Sequence, residues 1–370
     1  MLSYLLHPIL ANFGLIFENF EFKIPAMSNF RFIPLFLIFF LSCDHSKLDT
    51  KPAHTGSPGE ILVIATDSVW DSGVKDIFFD KFGYYSPMLP QPEAAFNIGH
   101  YTPSQFSMII ERHRNIAIVN IDPKRPAGQG YVKVIKDKWA KNQLVIEIEA
   151  GSVEEIRSLL DKNAPGLVSL INTKENERLK ARFLVYSSPP MMQLIQRKFN
   201  FNLVIPEGFK MAKDSAGFFW LQREKSKTSG GNAYFVVQNL VIYYLPHESD
   251  SSFTDANLLK WRDHFVYNIT SKAEDSHMQT VYSFEDMDLY PIGEDVEIDG
   301  QYGRLIRGLW NMKNDFMGGP FVSLSTYDEN KKQILTVEGQ VFAPKFDKRE
   351  YLREMEAIMF SLRFPDTTAK

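Results

Sequence analysis

Short apolar runs alternate with helical patterns in the first half of the chain. The runs that predict buried strands are residues 61–66, 115–121 and 143–150. Between the first two runs, residues 68–82 carry apolar side chains at helical spacing after Asp67, which can serve as N-cap. Residues 102–110 open with Thr-Pro-Ser, and proline in a first turn predicts a second helix there.

A capping box marks the start of the next helical pattern. Ser152 and Glu155 have the S-x-x-E spacing and predict a helix that ends near Asn163. A further helix is predicted over residues 164–184. Alternation of strands and helices is typical of an α/β layer, so residues 60–184 are predicted to form an α/β domain.

The second half changes character, because its apolar segments come in runs of strands. The predicted strands are residues 201–205, 209–211, 217–223, 233–244, 295–299, 302–310, 320–326 and 333–341. Helices are predicted over residues 255–270 and 348–362, and Asp299-Gly300 predicts a hairpin turn. Residues 185–370 are therefore predicted to form an α+β domain with a mainly antiparallel sheet and a C-terminal helix.

The N-terminal region contains a targeting pattern. Arg31 precedes ten apolar residues, and Ser42 and Cys43 follow them. Ten residues span about 15 Å as a helix, too short for a bilayer core of about 30 Å, so residues 27–42 read as a signal peptide. The pattern resembles the lipobox of bacterial lipoproteins, although Phe40 stands where leucine is usual. This resemblance implies that Cys43 becomes the acylated N-terminus, whereas the alternative is a buried strand that ends in an ordinary cysteine.

The segments on either side of the signal peptide have different predicted fates. A start at Met27 leaves a net positive charge before the apolar stretch, whereas a start at Met1 leaves a net charge of zero there. Residues 1–26 are therefore predicted to be an over-extended start. Residues 43–59 are polar, contain proline and glycine and show no periodicity, so they are predicted to be a flexible tether.

Composition excludes several classes of function. Forty-five acidic residues against 41 Lys and Arg give a net charge of −4, which argues against a nucleic-acid binder. A single cysteine excludes an internal disulfide framework, a thiolate zinc site and an iron–sulfur cluster. No nucleotide-binding loop and no nucleophile motif occur, so no cofactor and no catalytic residue are predicted.

Metal binding also has little support in the sequence. The eight histidines include no pair at i,i+2 or i,i+4 spacing. Asp295 to Gly300 imitates the start of a calcium loop, but Glu297 stands at position 3 and Ile306 at position 12. An edge strand that leads into an Asp-Gly turn explains the same residues, and no metal site is predicted.

One stretch combines the residue types that are enriched at binding surfaces. The candidate binding patch consists of Arg307, Trp310, Lys313, Asp315 and Phe316, with Trp139 and Lys141 as a second part. The alternative interpretation is a core strand followed by a loop. In that case the aromatic side chains would be buried and would have no contact with a partner.

Four segments carry a resemblance to a known family. They are LPQPEAAFNI (89–98), WAKNQLVIEI (139–148), GLWNMKNDFMGGPF (308–321) and KREYLREMEAI (348–358). The chain resembles a domain-of-unknown-function family of predicted lipoproteins from Bacteroidota-type bacteria. The resemblance implies a location in the cell envelope and implies no activity, substrate or catalytic residue.

Together these observations predict an envelope lipoprotein of the outer membrane, anchored through acyl chains on Cys43. Its favoured molecular role is a non-catalytic module that binds an envelope protein or a ligand. The alternative is an envelope hydrolase that acts on glycan or peptide, and an enzyme is the less favoured class. The partners predicted are the membrane and an envelope component, with no nucleic acid.

Overall fold

The first half of the chain folds around a five-stranded mixed sheet. The computed structural model describes residues 51–284 and 287–365. The strands of this sheet are β1 (Glu60–Ile64), β2 (Asn97–Tyr101), β3 (Asn115–Ile121), β4 (Tyr131–Lys136) and β5 (Leu144–Ala150). Their order is β2-β1-β3-β5-β4, and only β4 pairs antiparallel. The sequence missed β2 and β4, because these two edge strands are partly exposed and lack a continuous apolar run.

The helix after β1 is interrupted by one wide turn. It consists of α1 (Asp67–Val69), a π-helical turn (Trp70–Val74) and α2 (Lys75–Lys81). Gly73 lies in this turn with φ of 116°, a conformation open to glycine. The N-cap is Thr66, whose hydroxyl accepts from the Val69 N–H, and not Asp67 as the sequence predicted. The predicted helix over residues 68–82 is otherwise confirmed.

The helix predicted over residues 102–110 is wrong, because this segment is a series of turns. The Thr102 hydroxyl lies 2.8 Å from that of Ser104 and 3.1 Å from Gln105 Oε1. Short polar side chains that bond to their own neighbours compete with helix formation. Phe106 still packs edge-on against Trp139, whereas Ile109 is 76% exposed.

A single long helix replaces two predicted ones. Helix α3 (Val153–Val185) has 33 residues and contains Pro165 in its interior. The Ser152 hydroxyl accepts from the Glu155 N–H at 3.2 Å, which confirms the predicted helix start. The predicted break near Asn163 is wrong, because packing of the apolar face of α3 stabilises the helix across the proline. Among the described residues, no helix is both long and apolar enough to cross a membrane.

The second half contains a helix and a large antiparallel sheet. Helix α4 (Pro189–Phe199), which the sequence did not predict, comes first. The main strands are β6 (Lys210–Ser215), β7 (Phe218–Ser229), β8 (Asn232–Pro246), β9 (His277–Val281), β12 (Ile292–Ile298), β13 (Gln301–Lys313), β14 (Gly318–Asp328) and β15 (Gln333–Phe342), and a small hairpin is formed by β10 (Ser283–Phe284) and β11 (Met287–Asp288). Their order is β12-β13-β14-β15-β8-β7-β6. Strand β9 pairs with the C-terminal part of β13, after the residues of β13 that pair with β12.

Helices cover both faces of this sheet. Helix α6 (Arg349–Met359) packs with α3 and α4 on one face, and α5 (Asp255–Val266) packs on the other. Alternate residues of β8 divide between the two cores: Leu240 and Ile242 face α6, whereas Val241 and Tyr243 face α5. The predicted fold class, an α/β half followed by an antiparallel half with a C-terminal helix, is confirmed.

One predicted strand is not a strand. Residues 201–205 are buried but irregular, and their contacts are isolated bridges such as Asn202 with Arg363. Phe201 is fully buried against Phe199. The apolar run therefore reflects burial and not ladder pairing, two causes that a short apolar run does not distinguish.

Several predictions concern residues that the structure does not describe. The start at Met27, the signal peptide over residues 27–42, the lipid site Cys43 and the first part of the tether lie outside the described residues. The described end of the tether is bound to the fold. The Thr55 N–H donates to Arg112 O at 2.8 Å, and the Lys141 N–H donates to Pro52 O at 2.8 Å. A free linker would therefore end before Pro52, earlier than the predicted residue 59.

The division between two domains at residue 184 falls at the end of α3. The described residues from Lys51 onward form one compact unit, because the C-terminal part of α3 packs against α6 of the second half. The division itself stays a prediction from composition and pattern.

Candidate functional site

Trp310 is a core residue. It is 2% exposed, packs with the residues under α5 and donates through Nε1 to Pro320 O at 3.1 Å. This arrangement matches the core-strand interpretation of the stretch. Trp310 is therefore not available to a partner on the surface of this fold.

The residues after Trp310 lie at the end of β13 and in the turn that follows. Lys313 is exposed, and Phe316 is fully exposed at 106% of its reference area. Asp315 accepts from the Phe316 N–H at 2.7 Å. Hydrogen bonds from Ser271 and from this N–H lower the pKa of Asp315. Phe316 is the one aromatic of the predicted patch that solvent reaches freely.

The second part of the predicted patch lies beside the first sheet. Trp139 contacts Phe106, and the Lys138 ammonium lies 4.5 Å from the centre of its ring. Lys141 is exposed and its backbone pairs with the segment at Pro52. The structure thus places the seven predicted residues in separate environments and does not assemble them into one patch.

Arg307 is the predicted residue that leads to a site. It lies on β13, and its guanidinium binds Glu294 of β12 and Glu356 of α6, with Nε and Nη2 each 3.0 Å from Glu356 Oε1. Burial lowers the pKa of Arg307, but the attraction of Glu356 and Glu294 outweighs burial and leaves the pKa raised. Arg307 therefore stays charged and holds strand β12 to helix α6.

These three residues line a groove that runs between α3 on one side and β12 on the other. The groove has a volume of about 780 Å³ in its wider part. A second part of about 510 Å³ adjoins it and shares Thr173, Asn176, Glu297 and Phe360 with the first. Sites for ligands in proteins are commonly of about 300–1,000 Å³, so the groove is large enough to bind one.

The wall on α3 follows one face of the helix. Its residues recur at the helical spacing of three or four and are mostly polar and uncharged at the centre: Ala164, Pro165, Val168, Ser169, Asn172, Thr173 and Asn176. The side chain of Asn176 contributes an unusual atom. Its Oδ1 is buried and has no hydrogen-bond partner among the described residues. Such acceptors are uncommon in folded proteins.

The groove is predominantly acidic. Its carboxylates are Asp80, Asp161, Glu177, Glu294, Asp295, Glu297, Asp299 and Glu356, and its basic side chains are Lys81, Lys180, Arg307 and Arg363. At one end, Lys81 lies 2.8 Å from Asp80 and 2.7 Å from Asp161. Hydrogen bonds to Asp161 and Asp80 raise the pKa of Lys81. The excess of carboxylates favours a ligand that is positively charged.

The acidic stretch that imitated a calcium loop has the form that the sequence predicted. Residues 292–298 are strand β12, and Asp299 and Gly300 form its turn to β13 with φ of 53° and 75°. Asp295 accepts from Arg304 and Tyr302 at 2.8 Å each. Within the described residues, no group of three or more metal-ligating side chains is arranged to hold a metal ion.

The sequence did not predict this groove as a site. The acidic alternation of β12 was visible, but it was interpreted as a solvated strand face. The opposite wall and the floor come from α3 and α6, which lie far away in the chain. The available signal was a regular polar stripe on one face of α3. Its periodicity does not indicate which other element lies opposite that face.

Two protein-family models match the two halves of the chain. Residues 188–361 match the domain of unknown function DUF4837, and residues 54–184 match the domain of unknown function DUF8532. The chain therefore carries two domains of unknown function, which confirms the resemblance to a family of this kind, although two family models and not one cover the chain. No curated protein sequence matches the chain.

Two solved structures have a similar arrangement in part of the chain. The Ran-binding protein Mog1p of Saccharomyces cerevisiae is 14% identical, with a TM-score of 0.28 over 46% of this chain and 92% of that one. LpqN of Mycobacterium tuberculosis, described as involved in cell envelope biogenesis, is 10% identical, with a TM-score of 0.24 over 43% of this chain and 78% of that one. These likenesses are too low to carry a functional argument.

Proposed function

We propose that this protein is a lipid-anchored component of the bacterial envelope that binds a partner in the groove between α3 and β12. The observation that carries the binding role is the groove itself, which is large, polar and acidic and is lined by both halves of the fold. The proposal keeps the binding module that the sequence favoured, but it moves the binding surface away from Trp310.

The anchoring part of the proposal is supported by Cys43. The lone cysteine follows a signal-like apolar segment that is too short to span a bilayer. Each buried CH₂ of an acyl chain contributes about 0.8 kcal/mol, and several chains together hold a protein on a membrane. The outer membrane is the proposed location.

Lipid labelling tests the anchor. Cells that produce the full chain are grown with an alkyne-bearing palmitate, and the chain is expected to become labelled and to sediment with membranes. The Cys43→Ser variant is expected to lose the label and to move to the soluble fraction. A variant that stays labelled, or a native chain that is never labelled, would contradict the anchor.

The state of the groove's acids favours binding over hydrolysis. Glu294 and Glu356 are both engaged by Arg307, and Asp295 is engaged by Arg304. Carboxylates held in ion pairs are suited to fixing a surface and its charge, whereas a glycosidase needs one carboxyl free to deliver a proton. These three acids of the groove are therefore better suited to recognition of a ligand than to cleavage of one.

Photo-crosslinking inside living cells tests the binding role. A photoreactive amino acid is placed at Thr173, an exposed residue that lines both parts of the groove. The matched control is Gly166, on the same helix, where an added side chain would meet only open space. A defined crosslinked product is expected from the first position and not from the second. Equal products from both positions, or none from either, would contradict a binding groove.

A further inference from the structure

The groove touches the free edge of β12 from Glu294 to the turn at Gly300. The strand residues that line it are consecutive: Glu294, Asp295, Val296 and Glu297 in the wider part, and Glu297, Ile298, Asp299 and Gly300 in the second part. Successive strand residues point to opposite faces of a sheet. A groove that is lined by consecutive residues must therefore follow the backbone edge and not a single face.

The pairing of β12 shows which backbone groups point into the groove. β12 and β13 form a hairpin with a two-residue loop, so Ile298 and Gln301 close the ladder as a hydrogen-bonded pair. The alternation of an antiparallel ladder then assigns Val296 and Glu294 to β13 as well. The N–H and C=O groups of Gly293, Asp295 and Glu297 are directed away from β13, toward the open side.

The two edges of the large sheet differ in their protection. At the far edge, β6 has a bulge between Met211 and Lys213 and carries lysines, features that prevent pairing with another strand. At the near edge, the register of β12 runs without interruption from Ile292 to Ile298. β12 contains neither proline nor lysine. It is therefore a regular strand with an unblocked edge inside a groove.

We propose that β12 accepts an extended, lysine- or arginine-rich peptide segment as an additional strand, lying between β12 and α3. This inference rests on the proposed binding function and specifies its ligand. Addition of a peptide strand to a sheet edge is an established mode of recognition, in which main-chain hydrogen bonds give affinity and side-chain contacts give specificity.

Charge selects the peptide. Glu294, Asp295 and Glu297 all lie on the strand itself, and carboxylates exceed basic side chains along the whole groove. Opposite charges on neighbouring strands stabilise a sheet, and like charges directly opposite each other destabilise it. The same reasoning disfavours a second copy of this chain as occupant, since two β12 strands would bring acidic residues face to face.

The wall on α3 fits the far edge of such a peptide. From Asp161 to Lys180 the helix rises about 29 Å, and about eight residues of extended peptide cover a similar distance. Thr173 and Asn172 offer hydrogen-bonding groups along this length.

Binding of defined peptides to the full chain tests the inference. The probe is an octapeptide with blocked ends that alternates lysine with valine and threonine, and the control replaces each lysine by glutamate. We expect saturable binding of the lysine peptide, measured by calorimetry, and binding weaker by about tenfold or more for the glutamate peptide. The inference is overturned by equal binding of both peptides, or by no binding of the lysine peptide.

A pair of variants separates the backbone edge from the charge. Glu297→Pro removes an outward N–H and places a ring on the free edge without breaking the ladder to β13. Glu297→Ala removes the same carboxylate but keeps the N–H. We expect Glu297→Pro to weaken peptide binding by about tenfold or more, and Glu297→Ala by only about twofold to threefold. Equal affinities of the two variants would overturn strand addition.

Peptides with a modified backbone test strand addition without any change to the protein. The lysine peptide is methylated at alternate backbone nitrogens, in each of the two possible registers. Only one register can donate to β12, so at least one methylated peptide is expected to lose about tenfold or more in affinity. No loss in either register would overturn strand addition. If crosslinks from Thr173 still form in that case, the proposed binding function stands and only its peptide ligand is wrong.

Discussion

Two arginines on opposite faces of the large sheet, Arg262 and Arg307, each lie against acidic partners, but only Arg307 borders solvent. Arg262 of α5 is 1% exposed, and its Nη2 lies 2.9 Å from Glu338 Oε1, itself fully buried. Its Nη1 lies 2.7 Å from Thr280 Oγ1, and its guanidinium carbon lies 3.7 Å from the centre of the Phe321 ring. Arg307 on the other face has two carboxylate partners beside a groove.

This difference separates the role in folding from the role in binding. The Arg262 network is enclosed by protein, so every charge in it must be matched within the fold. Burial raises the pKa of Glu338 although Arg262 opposes this effect. The Arg307 network borders solvent, so its charges can also serve a ligand. We expect changes to the first network to affect stability and changes to the second to affect binding.

The largest effect is expected from Arg262→Met. The variant leaves Glu338 buried without its counter-charge, and removal of one partner of a buried ion pair costs about 3–5 kcal/mol. Urea denaturation of the full chain measures the free energy of unfolding. A loss below about 1 kcal/mol would show that the Arg262 network contributes little to stability. The expected difference in stability effect between the Arg262 and Arg307 networks would then be contradicted.

A pH titration examines a third charged network, which joins Arg114 and Arg178 to Glu175 in the first half. Burial and the nearby Arg114 and Arg178 lower the pKa of His54 to about 4, although Glu175 opposes this shift. A lowered pKa favours the neutral ring in the folded state, so the stability is present above the unfolded pKa of about 6.5 and is lost as pH falls through about 4.

The expected loss between pH 7 and pH 4 is about 1–3 kcal/mol, since the ring is only half-buried. His54→Gln serves as control, because its side chain does not titrate. The difference in unfolding free energy between native chain and variant is measured at both pH values. A difference that does not change with pH would contradict the assignment.

A smaller effect on stability is expected from Arg307→Met. The ion pairs at the groove are partly exposed, and such pairs contribute about 1 kcal/mol or less. The variant should unfold at nearly the native urea concentration but bind the lysine peptide with altered affinity, because Glu294 and Glu356 lose their counter-charge. A loss of stability as large as that of Arg262→Met would contradict the assignment of the Arg262 network to stability and of the Arg307 network to binding.

The smallest effect is expected from Phe316→Ala. Phe316 is fully exposed, and surface substitutions of this kind change stability by about 0.5 kcal/mol or less. The change should also leave peptide binding in the groove intact. Thermal unfolding measures the stability, and the peptide titration measures the affinity. A loss of peptide affinity would indicate that Phe316 of the predicted patch takes part in binding.

Much of the fold was predictable because it depends on local patterns. Alternation of Glu147 and Glu149 with isoleucines marked β5, and Asp299-Gly300 marked the turn after β12. One of the failures has a local cause and the other a tertiary one. The hydroxyl of Thr102 stabilised turns where a helix was predicted, and packing stabilised α3 through Pro165.

The candidate site was far less predictable. Arg307 was singled out, but as part of an aromatic stretch whose Trp310 is buried. The partners that give Arg307 its role, Glu294 and Glu356, come from a neighbouring strand and from the last helix. No local pattern records a contact between elements that meet only after folding.

The sequence by itself determined the α/β and antiparallel halves and the register of the β12 hairpin, and the targeting pattern at Cys43 stays a prediction from it. It did so because these features depend on neighbouring residues and on periods of two or 3.6. Only the tertiary structure decided that Trp310 is buried, that α3 faces the free edge of β12 and that the acids of this edge line a groove. These facts depend on which distant surfaces pack together, because burial and charge environment are properties of the assembled fold.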